Sequence, residues 1–424
     1  MPYFKKYFYC FVLAFFFLEM NLYAQQLART ADRHNYTSGA LIQERPQVKW
    51  RFQTEGQVYS SPVLYADKII IGSCDSNLYA LNKADGSVLW KYKTGGEVRA
   101  TAAVDQQVVY FLSADGHFYA LDVHTGKQLW TFKTEGEKTY DIWDYFQSSA
   151  AVESGIVYFG SGDGHIYALD AKNGKEIWKY KTAGIVHASP TVTAHEILIG
   201  SFDGYFYCLE KNGDLRWKFK TIGEHYFPKG EVQFHAVAAD SSVYFGARDF
   251  NSYALKIKDG TGHWVYHQPG SWISVPSLAG KQLLLTMSDS YSVLALDKVY
   301  GGKLYEPRIP LNTFSSASIT DSAAYFGALD GVLYKLDLSK GTVSSVFQTA
   351  SSKLNRSNFL MKKISYELDW MKNMHMISIN CLRDTCRWAV FFLRSGLMVN
   401  HCILVLQMAL CMHLNRFVRY VICF

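Results

Sequence analysis

The chain repeats itself. The pattern Asp-x-x-x-Tyr-x-Leu runs from Asp75 to Leu81 and returns at Asp115, Asp163, Asp203, Asp249 and Asp330, with a looser copy at Asp289. Each copy is followed by a Gly-containing turn and then by an aromatic residue, in order Trp90, Trp130, Trp178, Trp217, Trp264, Tyr305 and Phe347. A period of about 40 residues with four short strands per unit is the signature of an all-β propeller built from four-stranded antiparallel blades.

One unit explains the rest. Ser61 to Leu64 reads as a first strand, and the β-branched run Lys68 to Ser73 suits a buried second one. The Asp-Gly that follows is a hairpin turn, because Gly accepts positive φ and Asp caps its own turn. The recurring Asp at 75, 115, 163, 203, 249, 289 and 330 is therefore read as turn chemistry, not as a metal or acid array. The third strand carries Tyr-Ala-Leu, and the fourth is Trp-x-Phe/Tyr-Lys-Thr. Trp50, Trp90, Trp130, Trp178, Trp217 and Trp264 form one column, expected to fill the gap between neighbouring blades.

These residues resemble the quinoprotein-type propeller repeat, shared by pyrroloquinoline quinone dehydrogenases and by the propeller lipoprotein of the outer-membrane β-barrel assembly machinery. The resemblance covers 50 to about 349 and is specific for fold, not for function, because enzymes and non-enzymes use the same repeat. Val48 to Thr54 is a fourth strand with no first three before it. It should close the ring by joining a last blade from the C-terminus, which makes eight blades in a single domain, residues 46–350, preceded by a linker at 25–45.

That last blade is not legible in the residues as written. From about Ser351 only Gly396 represents glycine, and Cys381, Cys386, Cys402, Cys411 and Cys423 crowd the tail. Read in the neighbouring frame, Ile403 to Leu414 permits Tyr-Phe-Gly-Ser-Thr-Asp-Gly-Ser-Val-Tyr-Ala-Leu, parallel to Tyr158 to Leu169. Residues 351–424 are thus expected to be a frame-shifted tail that disrupts the last blade; if the tail is as written, the ring would be open and the product without function. The alternative is a genuine Cys-rich appendage with a helix at Ala389 to Leu393.

Lys5-Lys6 before the apolar run Tyr7 to Leu18, with Ala24 before Gln25, reads as a signal peptide at 1–24 and implies a periplasmic or secreted protein. An uncleaved anchor is the alternative. Cys10 lies inside the apolar run, unlike a lipid-attachment cysteine, and here the chain departs from the assembly lipoprotein. The net charge of +6 comes mostly from the tail, and residues 25–350 are close to neutral, without the clustered basic face that nucleic acid requires. Cys74 and Cys208 lie in different blades and imply no disulfide framework.

Function is sought where the repeats disagree. Registered on the turn Asp, one varied column stands at the entrance to the innermost strands: Tyr59, Arg99, Gln147, His187, Gln233, Ile273 and Phe314. Two positions on lies a mostly small one, Ser61, Thr101, Ser149, Ser189, His235, Val275 and Ser316. The varied column, with His235, is read either as a ligand or peptide surface in an axial funnel or as solvated strand ends. Two long fourth-to-first connections, Glu135 to Phe146 and Ile222 to Glu231, should project on the same face. Tyr140, Trp143, Tyr145, His225, Tyr226 and Phe227 would give it an interaction surface, or else pack onto the blades below.

The dehydrogenase resemblance implies an adjacent-cysteine pair, an axial Trp platform and a calcium site. No Cys-Cys occurs in the propeller, and Trp272 sits among ordinary first-strand residues. His187 and His235 lack a placed carboxylate in sequence and are weak evidence for a metal. The expectation is a monomeric, non-catalytic scaffold without catalytic residues, metal or cofactor, binding an envelope protein or peptide and meeting the membrane only through a partner or an uncleaved signal. The rival is a quinoprotein that binds pyrroloquinoline quinone with calcium, or another small ligand, in the funnel.

Overall fold

A computed structural model describes residues 26–27, 30–38, 46–141, 143–350 and 352–353, and the backbone of 395–398, 401–407 and 419–423. Among these, eight four-stranded antiparallel sheets follow one another in chain order. The first strands of blades 1 to 7 are Val63–Tyr65, Ala103–Asp105, Ala151–Glu153, Thr191–Val192, Val237–Ala239, Ile273–Ala279 and Ser318–Ile319. First strands of neighbouring blades lie against each other and are innermost. The fourth strands, such as Val88–Lys93 and Gln128–Lys133, are outermost, with solvated lysines that blunt these free edges.

The core lies between blades. One buried cluster joins Tyr110, Phe118 and Trp130 of blade 2 to Phe159 and Tyr167 of blade 3, and similar clusters recur around the ring. The Trp column does the expected packing and more. Each indole Nε1–H donates to a carbonyl of the next blade: Trp50 to Lys83, Trp90 to Val123, Trp130 to Ala171, Trp178 to Lys211, Trp217 to Ile257 and Trp264 to Lys298, over 2.8 to 3.1 Å. Each ring also covers a positive-φ glycine of that blade's outer turn, so that a Cβ on Gly174 would lie 2.4 Å from Trp130. Removing one such indole should cost about 3 to 5 kcal/mol.

The turn Asp caps its own turn, Oδ1 accepting the amide two residues on, as in Asp163 from His165 at 2.8 Å. Its other oxygen serves a role that the turn reading did not include. Asp163 Oδ2 accepts both the Tyr167 hydroxyl at 2.7 Å and the Glu135 amide of the preceding blade at 2.8 Å. Asp75, Asp115, Asp203 and Asp249 repeat this staple. Near the axis the small column forms a relay, with the amides of Ser61, Thr101 and Ser149 donating to the hydroxyls of Thr101, Ser149 and Ser189 over 2.8 to 2.9 Å.

Three expectations are corrected. The eighth blade is present: Ser395–Met398, His401–Gln407 and Arg419–Cys423 form a sheet with Trp50–Gln53, Trp50 pairing with Cys423, so the ring is closed and not open. Apolar runs with β-branched residues, such as Cys402 to Leu406 and Val421 to Cys423, suit strands without repeat-like turns. Second, part of the stretch read as a linker, residues 26–27 and 30–38, is packed across the base of the axial channel, where Arg33 is 1% exposed. Third, Ile273 does not share the column of Arg99 and His187. It faces Gly246 as Val98 faces Gly72 and Val186 faces Gly160. Pro276 has no amide for the ladder, and the strand pairing slips between Ile273 and Pro276. The signal peptide and the Ala389 to Leu393 helix lie outside the described residues.

Candidate functional site

The fourth-to-first connections gather at one end of the channel, and the longest of them closes it. Residues 135–141 and 143–147 fold over the axial mouth, where Tyr145 stacks on Tyr59 with centroids 5.8 Å apart and Phe146 meets Phe234 at 5.4 Å. Tyr59, Phe146, Phe234 and Val275 are buried together, with Tyr145 and Phe314 packed against them. The column read as a funnel surface or as solvated strand ends is therefore neither. Tyr59, Gln147, His187, Gln233 and His235 are all buried, and Arg99 is half-buried beside Glu97 and over the Tyr59 ring.

Charge holds the cap in place. His187 Nδ1 lies 2.8 Å from Asp144 and Nε2 3.1 Å from Glu137, both carboxylates coming from the long connection. Burial alone pulls this imidazole's pKa down, but the two hydrogen bonds outweigh it and raise it to about 9. Arg248 forms the second lock. Its guanidinium pairs with Asp141, donates from Nε to Gln233 at 3.1 Å, and stacks over Phe202 at 4.9 Å and Trp272 at 4.7 Å. Gln233 in turn donates to the Trp143 carbonyl at 3.1 Å, and the Tyr140 hydroxyl donates to Glu231 at 2.9 Å. A guanidinium can meet all these partners at once because it combines a planar donor fork with faces that stack on rings.

The loop aromatics divide. Trp143, Tyr145 and Phe227 are half-buried, Trp143 and Phe227 both standing edge-on to Trp272. Tyr226 (75% exposed), His225 and Tyr140 face solvent, and Ile222 (69% exposed) joins them at the rim. Sequence reasoning missed Ile222, Glu137, Asp141, Asp144, Glu231 and Arg248, and set Trp272 aside. A signal was there for Arg248: other blades carry Cys74, Ala114, Gly162, Phe202, Ser288 or Leu329 just before the turn Asp, and only this one carries a charge.

The rival reading needs an open volume at the axial mouth. That volume is filled by side chains, Trp272 is stacked on Arg248, and the nearby carboxylates are engaged by His187 and Arg248. Among the described residues, no group of three or more His, Cys, Asp or Glu is arranged to hold a metal ion. Cys74 and Cys208 are unpaired, and burial pushes both thiols up to about 12.

Fold and site together define a β-propeller of quinoprotein-type repeats whose axial mouth is capped by its own long loop. Residues 40–184, 141–227 and 203–359 match the family described as outer membrane protein assembly factor BamB, and the chain belongs to that family. BamB from Moraxella catarrhalis is similar in fold, with a TM-score of 0.61 at 17% identity over 88% of this chain and 98% of that one. The quinohemoprotein alcohol dehydrogenase from Comamonas testosteroni is also similar, with a TM-score of 0.70 at 12% identity over 94% of this chain and 80% of that one. In sequence, the β-alanine-activating enzyme of Mus musculus is 31% identical over 108 residues, 26% of this chain. That match spans only 10% of the curated relative's length.

Proposed function

We propose that this chain is an exported, non-catalytic scaffold that binds a protein or peptide of the bacterial cell envelope, in the service of outer-membrane protein assembly. The match to the assembly-factor family across 40–359 is the observation that carries this reading. The capped axial mouth supports it, because side chains occupy the space a cofactor would need and the rim around them carries solvent-facing aromatics. The chain would act as a monomer in the periplasm, contacting the membrane through its partner.

Ile222, Tyr226, His225 and Tyr140 form the surface proposed to meet that partner. Tyr140 stands on the cap braced by the His187 and Arg248 pairs and bonds Glu231 of the neighbouring connection that carries the other three, so docking would order few groups and lose little entropy. The test is capture from detergent-solubilised envelopes by the full chain and by an Ile222→Ala, Tyr226→Ala double variant. An outer-membrane assembly component retained by the first and lost by the second is expected; equal retention rules out the rim, and no retention by either rules out the scaffold. Absorbance titration with pyrroloquinoline quinone and calcium addresses the rival, and saturable binding would overturn the non-catalytic reading.

A further inference from the structure

The opposite end of the channel presents a different chemistry. Each innermost strand is paired on one side only, so its other edge faces the axis with free amides and carbonyls, a template for an extended chain. In this structure residues 26–27 and 30–38 take that template. The Val192 amide donates to the Ala31 carbonyl at 2.8 Å and the Ala238 amide to Asp32 at 3.3 Å. Ile319 exchanges bonds with Asn35 and Thr37 over 2.8 and 2.9 Å in a parallel bridge. Side chains continue the pattern: Gln26 accepts from the Val152 amide at 2.9 Å, and Asn35 donates to Ala317 and Ser318. One segment thus reads the inner edges of blades 3, 4, 5 and 7.

Arg33 is its anchor. Nε donates to Pro190 at 2.8 Å, Nη2 to Ser149 at 3.2 Å and Nη1 back to Leu27 at 2.8 Å, all main-chain carbonyls. Few side chains other than a guanidinium carry enough coplanar donors to serve carbonyls from two blades and the segment itself. Around the segment lies a cavity of about 1840 Å³, bounded by the first-to-second strand turns of blades 2 to 7, with Asp105 and Asp321 at its rim. Those walls leave room for chain beyond residues 26–38.

We infer that the base of the axial channel is a binding site for an extended peptide carrying an arginine, held in cis by the chain's own residues 30–38 with Gln26 and Leu27. The segment is a tethered occupant, and its effective concentration, on the order of millimolar, sets what a free peptide must overcome. This site is separate from the rim of the proposed function, and rim variants leave it unchanged.

The experiment uses full-length protein carrying Arg33→Ala, which weakens the resident segment, and a fluorescein-labelled synthetic peptide of residues 26–38 read by anisotropy. The native peptide is expected to bind this variant at least about tenfold more tightly than it binds the wild-type chain, and more tightly than an Arg33→Ala peptide does by a similar factor. A folded variant that binds both peptides equally, or neither, overturns the proposal. Should Arg33→Ala prevent folding, an Asn35→Ala chain with native and Asn35→Ala peptides repeats the comparison, and equal binding there overturns it as well.

Discussion

His187 Nδ1 lies 2.8 Å from Asp144 Oδ1, and that contact ties the entrance of blade 4 to the loop that closes the axial mouth. The imidazole's pKa in the folded protein, about 9, exceeds its ordinary value of 6.5. The protonated ring therefore favours the folded state in full below pH 6.5, and this contribution is lost as pH rises through about 9. Its size is on the order of 3 kcal/mol. The wild-type Tm should fall across that window. His187→Gln should start lower and stay flat, and parallel curves for the two proteins would show that the cap is held by other contacts.

Gly174 and Gly155 share a positive φ, +72° and +77°, but only Gly174 lies beneath an indole. Gly155→Ala meets no atom within 4 Å. It should cost only the left-handed strain of about 1 kcal/mol. Gly174→Ala must also displace Trp130, and should cost about 3 kcal/mol. Urea unfolding of the two variants compares them directly, and equal losses would mean that the indole column tolerates movement.

Replacing Tyr140 and Trp143 together is a poor probe of partner binding, because both also brace the cap. Replacing both with Ala removes the hydroxyl bond to Glu231 and the edge contact with Trp272, and should lower the Tm by several degrees. Ile222→Ala with Tyr226→Ala should leave the Tm within about one degree while weakening partner capture. A fall in Tm for the rim pair would show that these residues pack and do not present.

Blade 8 should open first. Residues 395–424 contain no Asp, so the Ala350 amide, which stands where Glu55, Gly95 and Glu135 donate to their staples, meets no such carboxylate there. Hydrogen exchange is expected to be faster in Arg419–Cys423 and Trp50–Gln53 than in Asn77–Asn82, and equal protection would show that the seam is closed by other means. Sequencing the coding region of the tail tests the frame-shift expectation. A neighbouring frame that restores Asp-Gly-x-x-Tyr-Ala would put the missing staple back.

The repeat determined the blades, their number and the place of the six column residues Trp50, Trp90, Trp130, Trp178, Trp217 and Trp264, because strand alternation, turn glycines and a regular aromatic are local signals that recur in each unit. It also singled out the two long connections. What those connections do was decided only by the closed ring. Asp144 and Glu137 meet His187 across 43 and 50 residues of sequence, Asp141 meets Arg248 across 107, and Arg33 meets Ser149 across 116. None of these pairs repeats, so no period reports them. Their partners become neighbours because closure brings eight blade entrances to one mouth and eight inner edges to one base, where a desolvated charge must find a counterpart or the chain cannot bury it.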